Sequence, residues 1–171
     1  MQVTEIIIDS SPLITLFRSH QAHLLEPLFT NIWVPNAVFE EVTDDEHNDL
    51  ASQGLVNAAW LKRVSVSHIP DMISQRDLGW GESEVLAFTL NCPSAHAMID
   101  DLAARRCAKK LGIATLGTGG MLVIAKQRGI ISSVGEALQA LRAAGMWLSD
   151  DLVRMLTEKA GESNPPILPI H

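Results

Sequence analysis

Three consecutive isoleucines, Ile6-Ile7-Ile8, run straight into Asp9-Ser10-Ser11-Pro12, and this junction limits the folds open to the chain. A continuous apolar run suits a strand covered on both faces, the pattern of a parallel sheet; a strand with one wet face alternates instead. The residues that follow are suited to start a helix. Ser10 or Ser11 can cap it, Pro12 fits its first turn, and Leu13, Leu16 and Phe17 supply an apolar stripe. The theme then repeats. A short helix is expected over 22–29, a strand over 31–34, and a helix from Pro35 through Val42. The stretch 43–57 reads as polar and irregular, with helix near its end around 55–60, and 62–66 as an edge strand. Gly79-Trp80-Gly81 breaks the chain before a helix at 82–91. A strand at 95–99, a helix at 102–111 and a strand at 113–116 follow, then a glycine turn at 117–120 and helices at 121–128, 134–144 and 150–159. Strands alternating with helices predict an α/β fold around a parallel sheet.

The chain has 171 residues, 47% hydrophobic and 19% charged, which is enough apolar material for one real core. One domain is expected over 1–162, with a proline-bearing tail at 163–171 that is extended or disordered. No apolar run approaches the roughly 20 residues of a membrane span. The start of the chain also lacks the basic segment of a secretory signal, so a cytoplasmic protein with no membrane partner is expected. Cys92 and Cys107 lack zinc-site spacing and are too few for a disulfide framework. Against 13 basic residues stand 20 acidic ones, a net charge of −7, the wrong sign for gripping nucleic acid by bulk electrostatics. If nucleic acid is the substrate, the acids must do something specific, such as hold metal. With no Tyr and only four Trp and four Phe, a base-stacking sheet surface is not expected either.

In parallel sheets of this kind, ligands bind outside the carboxyl ends of the strands. Asp9 holds that position on the first strand, and Asp100 and Asp101 hold it on the strand at 95–99. Helical phase selects two more acids. At about 100° per residue, Glu41 falls between the apolar Ala37 and Val38, while Glu40 points to solvent. The same phase sets Glu82 beside Val85 and Leu86 and turns Glu84 about 160° away, toward the polar side. The candidate set is Asp9, Glu41, Glu82 and Asp101, with Asp100 as the alternative to the last. Each acid alone has a plainer reading as a helix cap or a solvated helix residue. Together, pointing at one rim, they would repel one another unless their pKa values rise or cations sit among them. Hard oxygen donors suit Mg²⁺ or Mn²⁺, and a pair of such ions stabilises the attacking and leaving oxygens in phosphodiester cleavage.

The motifs also carry a resemblance. Ile-Ile-Ile-Asp9-Ser-Ser-Pro-Leu-Ile resembles the first-strand motif of PIN-domain proteins, in particular an uncharacterised prokaryotic branch. Val34-Pro35-Asn-Ala-Val38-Phe-Glu40-Glu41-Val42 is similar to that family's second motif, Gly81-Glu82-Ser-Glu84-Val-Leu-Ala to the third, and Ile99-Asp100-Asp101-Leu-Ala-Ala-Arg105 to the fourth. The likeness runs from about residue 3 to 131. It implies a Rossmann-like three-layer α/β/α sandwich and a divalent-metal-dependent ribonuclease in which metal-activated water hydrolyses the RNA phosphodiester. On that reading Asp9, Glu41, Glu82 and Asp101 are catalytic and, with Asp100, hold one or two Mg²⁺ or Mn²⁺ ions. Ser10, Ser11, Arg105 and Thr118 are placed as substrate-binding residues. Thr118 would offer its hydroxyl to a phosphate, although the glycines around it also suit a plain turn. Arg105 would pair with a carboxylate or a substrate phosphate, and Arg106, Lys109 and Lys110 read as a solvated face. VapC-type nuclease toxins share the implied fold and are held inactive by an antitoxin. The partners implied are therefore RNA, a cognate antitoxin and a second copy of the chain in a homodimer. The third motif carries Glu82 where Asp is usual, and the fourth reads Ile-Asp-Asp where Thr-x-Asp is common. These departures keep an alternative open: a decayed member acting as a nucleic-acid- or protein-binding regulator.

Overall fold

A computed structural model describes residues 2–44 and 50–163. The tail expected over 163–171 therefore lies outside the described residues from 164 onward. Ile6, Ile7 and Ile8 form β1 (Glu5–Ile8) and are fully buried, so this strand is covered on both faces as its unbroken apolar run requires. It pairs in parallel with β2 (Asn31–Pro35) on one side and β4 (His96–Met98) on the other, in the register Ile6↔Ile32 and Ile7↔Ala97. β3 (Lys62–Val64) extends the sheet beyond β2 and β5 (Thr115–Leu116) extends it beyond β4. The order is β3-β2-β1-β4-β5, all parallel, in a three-layer α/β arrangement. From β1 the chain winds outward through β2 and β3, then returns to the far side of β1 at β4. The strand order thus reverses between β1 and β4, and at such a switch point a crevice opens beyond the carboxyl ends.

Helices fill the connections: α1 (Ser10–Arg18), a 3₁₀ turn at Ala22–Leu24 leading into α2 (Leu25–Leu28), α3 (Asn36–Thr43) and α4 (Leu50–Asn57). After β3 come α5 (Asp71–Ser74), α6 (Trp80–Leu90), α7 (Leu102–Lys110), α8 (Thr118–Gln127), α9 (Val134–Ala143) and α10 (Asp150–Lys159). Several boundaries differ from the sequence expectation, each for a local reason. The residue at the cap of α1 is Asp9, so Ser10 and Ser11 sit inside the first turn rather than capping it. α4 begins earlier than expected because Ala51 and Leu55 are the residues buried against α1 and α3. α6 starts at Trp80 and includes Gly81. α8 starts within the glycine run, where Met121 N–H already donates to the Gly117 carbonyl at 3.0 Å. α5, not foreseen at all, is one turn that follows Pro70 and buries Ile73. Among the described residues no helix is long and apolar enough to cross a membrane.

The last three helices close on one another through Glu162, just past α10. Its carboxylate accepts from the N–H groups of Val134 (2.6 Å) and Gly135 (3.0 Å) at the start of α9 and lies 3.6 Å from Lys126 Nζ on α8. Burial alone would raise the pKa of Glu162, but those N–H bonds and the ammonium outweigh it and hold the group below its ordinary value. Glu162→Ala leaves two helix-start donors without their acceptor. It should lower unfolding free energy by about 1–2 kcal/mol, read from urea melts; Glu162→Gln, which keeps an acceptor, should cost less.

Candidate active site

The switch-point crevice receives Asp9 from the end of β1 and Asp100 from just beyond β4. Asp9 is tied in place by its backbone, whose N–H donates to the Met98 carbonyl at 3.1 Å, and the residue is only 3% exposed. One carboxylate oxygen, Oδ1, is buried with no hydrogen-bond partner among the described residues. Burial first, and then the charges of Glu82, Glu41 and Asp100, push its pKa up to about 7 against a favourable bond from the Ser10 N–H. Glu82 is also raised, by burial and by the neighbouring Asp101 and Glu41 charges, again against an N–H bond from Gly79.

The acids around Asp9 are each engaged by a backbone donor. Glu41, near the end of α3, accepts from the Gly81 N–H at 2.9 Å through Oε1 and from the Ser10 hydroxyl at 2.7 Å through Oε2. That approach needs the missing side chain at residue 81, where a Cβ would stand 2.8 Å from Glu41 Oε1. Glu82 accepts from the Gly79 N–H at 3.1 Å. Asp101 caps α7 by accepting from the Ala104 N–H at 2.8 Å. Asp100 accepts from the Thr118 N–H at 2.8 Å and its hydroxyl at 2.5 Å.

Glu40 points outward as phase implied and lies 3.8 Å from Arg63. Glu84 behaves differently from the expectation of a solvated residue. It is half-buried, and its Oε2 accepts from the Ala37 N–H at 2.9 Å, at the start of α3. Phase placed Glu84 away from Glu82 but could not show that the start of α3 packs there. Thr118 is fully buried and spends both donors on Asp100, so it fixes that acid rather than presenting a free hydroxyl to a phosphate. Ser10 likewise donates its hydroxyl to Glu41, while Ser11 stays exposed. Arg105 reaches back from α7, with Nη1 3.4 Å from the Ile99 carbonyl at the end of β4. Sequence reasoning missed Gly81 as the donor that holds Glu41. It also gave no reason to single out Trp80, 73% exposed and two residues before Glu82.

This donor set suits a divalent cation in kind. The candidate ligating atoms are hard carboxylate oxygens, and Asp9 Oδ1 is a buried acceptor that no group among the described residues satisfies. Among the described residues no three acids, histidines or cysteines stand close enough together to hold one ion. Mg²⁺ does not require that, because it is commonly bound through one or two carboxylates and keeps several waters.

A family model described as a PIN domain matches residues 5–162. PIN domains generally are nucleases and generally use divalent metal ions. Among curated proteins none matches the sequence.

The raised pKa of Asp9 has a consequence for stability in the absence of metal. Its folded value of about 7 lies above the ordinary value of 3.8, so the folded state binds the extra proton between them. Stability from that proton is fully present below about pH 4 and is lost as pH rises through 7, at about 1.4 kcal/mol per pH unit. In EDTA, Asp9→Asn should therefore melt higher than the wild type at pH 8, and the gap should shrink as pH falls toward 5. Added Mn²⁺ should close the gap at pH 8 by stabilising the wild type alone. A gap that widens toward acid would contradict the assignment.

Proposed function

The chain belongs to the PIN-domain family, and on that premise we propose that it is a Mg²⁺- or Mn²⁺-dependent ribonuclease that hydrolyses RNA phosphodiesters. The observation that carries the reading is Asp9: a buried carboxylate with an unpartnered oxygen, set among Glu41, Glu82 and Asp100 at the sheet's switch point. Asp9, Glu41, Glu82 and Asp101, with Asp100 beside them, are the acids from which one or two would hold each ion, with water filling the rest of its shell. A divalent ion bound there supplies Lewis-acid stabilisation of a phosphoryl oxygen and lowers the pKa of water.

The chain's own groups prepare the site. The Gly81 N–H and the Ser10 hydroxyl fix both oxygens of Glu41, and the Gly79 N–H fixes one of Glu82. Held acids lose little conformational freedom when a cation or substrate arrives, which is the advantage of a preorganised site. Thr118 orients Asp100 in the same way. Arg105 is the cation nearest the end of β4, placed to meet a non-bridging phosphate oxygen as a charge-assisted donor. The exposed Ser11 can add a neutral donor to the same phosphate.

Two experiments test the reading. Cleavage of single-stranded RNA should vanish in EDTA, return with Mg²⁺ or Mn²⁺, and be absent in Asp9→Asn while its circular dichroism stays native. Metal-dependent cleavage retained by Asp9→Asn would sink the assignment; no Mn²⁺ binding by calorimetry would favour a regulator that has lost its chemistry. The second compares Glu82→Gln with Glu84→Gln. The first should weaken Mn²⁺ binding and cleavage, whereas the second keeps an acceptor for the Ala37 N–H and should change both by less than about threefold. Glu84→Ala, which leaves that N–H unpaired, should cost about 1–2 kcal/mol of stability instead.

A further inference from the structure

On the β4–β5 side of the crevice the surface changes sign. Four of the chain's 13 basic residues fall within six positions of α7: Arg105, Arg106, Lys109 and Lys110. Leu102, Arg105, Arg106 and Lys109 are spaced i, i+3, i+4 and i+7, so they form one stripe along the helix, opposite the buried Ala104, Cys107 and Ala108. That stripe lines one wall of a groove of about 440 Å³, whose other wall is the segment Ala114–Thr115 entering the edge strand β5. Among the described residues Arg105, Arg106 and Lys109 form no ion pair with an acid. On a chain with net charge −7 and 20 acids, a run of unpaired cations is a local reversal of the surrounding field.

The groove is also joined to the acidic crevice. Asp101, the cap of α7, immediately precedes Leu102, the first residue of the stripe. Arg105 lies across Gly117, where a Cβ would stand 2.5 Å from its Nη1 and 3.3 Å from Asp100 Oδ1. The missing side chain at 117 therefore leaves the room that the Arg105 guanidinium occupies on the Asp100 side of the stripe.

We infer that the groove between α7 and β5 is the track for the phosphodiester backbone of the single-stranded RNA flanking the cut; the inference rests on the ribonuclease reading for the identity of that strand. Leu102 to Lys109 is seven helical steps, about 10 Å, so the stripe is long enough for Arg106 and Lys109 to meet successive phosphates of one strand. The exposed Leu102 stands at the crevice end of the stripe, and Arg106 and Lys109 carry the contacts farther out. These cations supply locally the attraction that the net charge withholds. They contact phosphates rather than bases, so the track adds affinity and direction without sequence preference.

The test is equilibrium binding of a short fluorescein-labelled single-stranded RNA in EDTA, by anisotropy across a salt series. In Arg106→Gln/Lys109→Gln the dissociation constant should rise roughly tenfold, and the slope of log K against log salt should fall by about 1.4, two phosphate contacts at about 0.7 each. Lys110→Gln/Lys159→Gln removes the same charge from exposed positions that do not line the groove, and it should leave the slope within error of wild type. Equal losses in both double variants, an unchanged slope in the first, or no binding by the wild type would each overturn the track. Loss confined to the groove variant, in a protein that never cleaves RNA with Mg²⁺, would keep the track and discard the nuclease reading.

Discussion

A carboxylate that is 3% exposed and has one oxygen without a donor is a costly thing to place at the end of a central strand, and the acids nearest it make it costlier. An isolated buried charge carries a penalty of several kcal/mol, whereas a helix-start hydrogen bond contributes about 0.5–2 kcal/mol. The neighbouring acids are each given such a bond: Glu41 by Gly81 at the start of α6, Asp101 by Ala104 in the first turn of α7, Asp100 by Thr118 at the start of α8. Helix starts expose unsatisfied N–H groups and partial positive charge, so they are the backbone's natural counterweight to a ring of carboxylates. Among the described residues Asp9 is the acid with a buried oxygen that meets no donor, and a proton or a cation would relieve it. The architecture thus offsets part of the charge at each acid of the ring and still leaves Asp9 and Glu82 raised.

The sheet explains why the imbalance falls at this place. β1 is central and its order with β4 reverses the winding, so the loops after these two strands part and leave a crevice where Asp9 and Asp100 face common space. The isoleucines that make β1 a buried strand are the same residues that fix Asp9 at its end. Foundation and chemistry share one segment of nine residues.

Much of this was legible in the sequence, and the limits are instructive. Ile6–Ile8 could be read as a doubly covered strand because burial on both faces leaves no other pattern. Glu41 could be separated from Glu40 because phase on a short helix distinguishes adjacent residues by about 100°. Phase could not show what a side chain meets. Glu84 pointed away from Glu82, but the Ala37 N–H that receives it belongs to a helix some 47 residues earlier, and only tertiary packing brings the two together. Thr118 looked available because its glycine neighbours read as an open turn, whereas its hydroxyl is turned inward onto Asp100. Arg106, Lys109 and Lys110 read as a solvated face and all three are exposed; that two of them line a groove against β5 is set by the sheet, which helix periodicity does not encode.

Glu41 and Glu84 together have one more property. Glu41 on α3 grips the start of α6, and Glu84 on α6 grips the start of α3. The two helices are thereby clasped in both directions. Sliding one past the other by a single turn, about 5.4 Å, would break both grips at once rather than trade one for another. Their relative register is therefore a matter of hydrogen-bond tolerance, a few tenths of an ångström, and not of the looser fit that apolar packing permits. The Glu41 carboxylate inherits that tolerance. One wall of the crevice behaves as a fixed jaw, and any compliance needed to admit a bulky polymer must come from the opposite side, where α7 and the short edge strand β5 carry no such mutual clasp among the described residues.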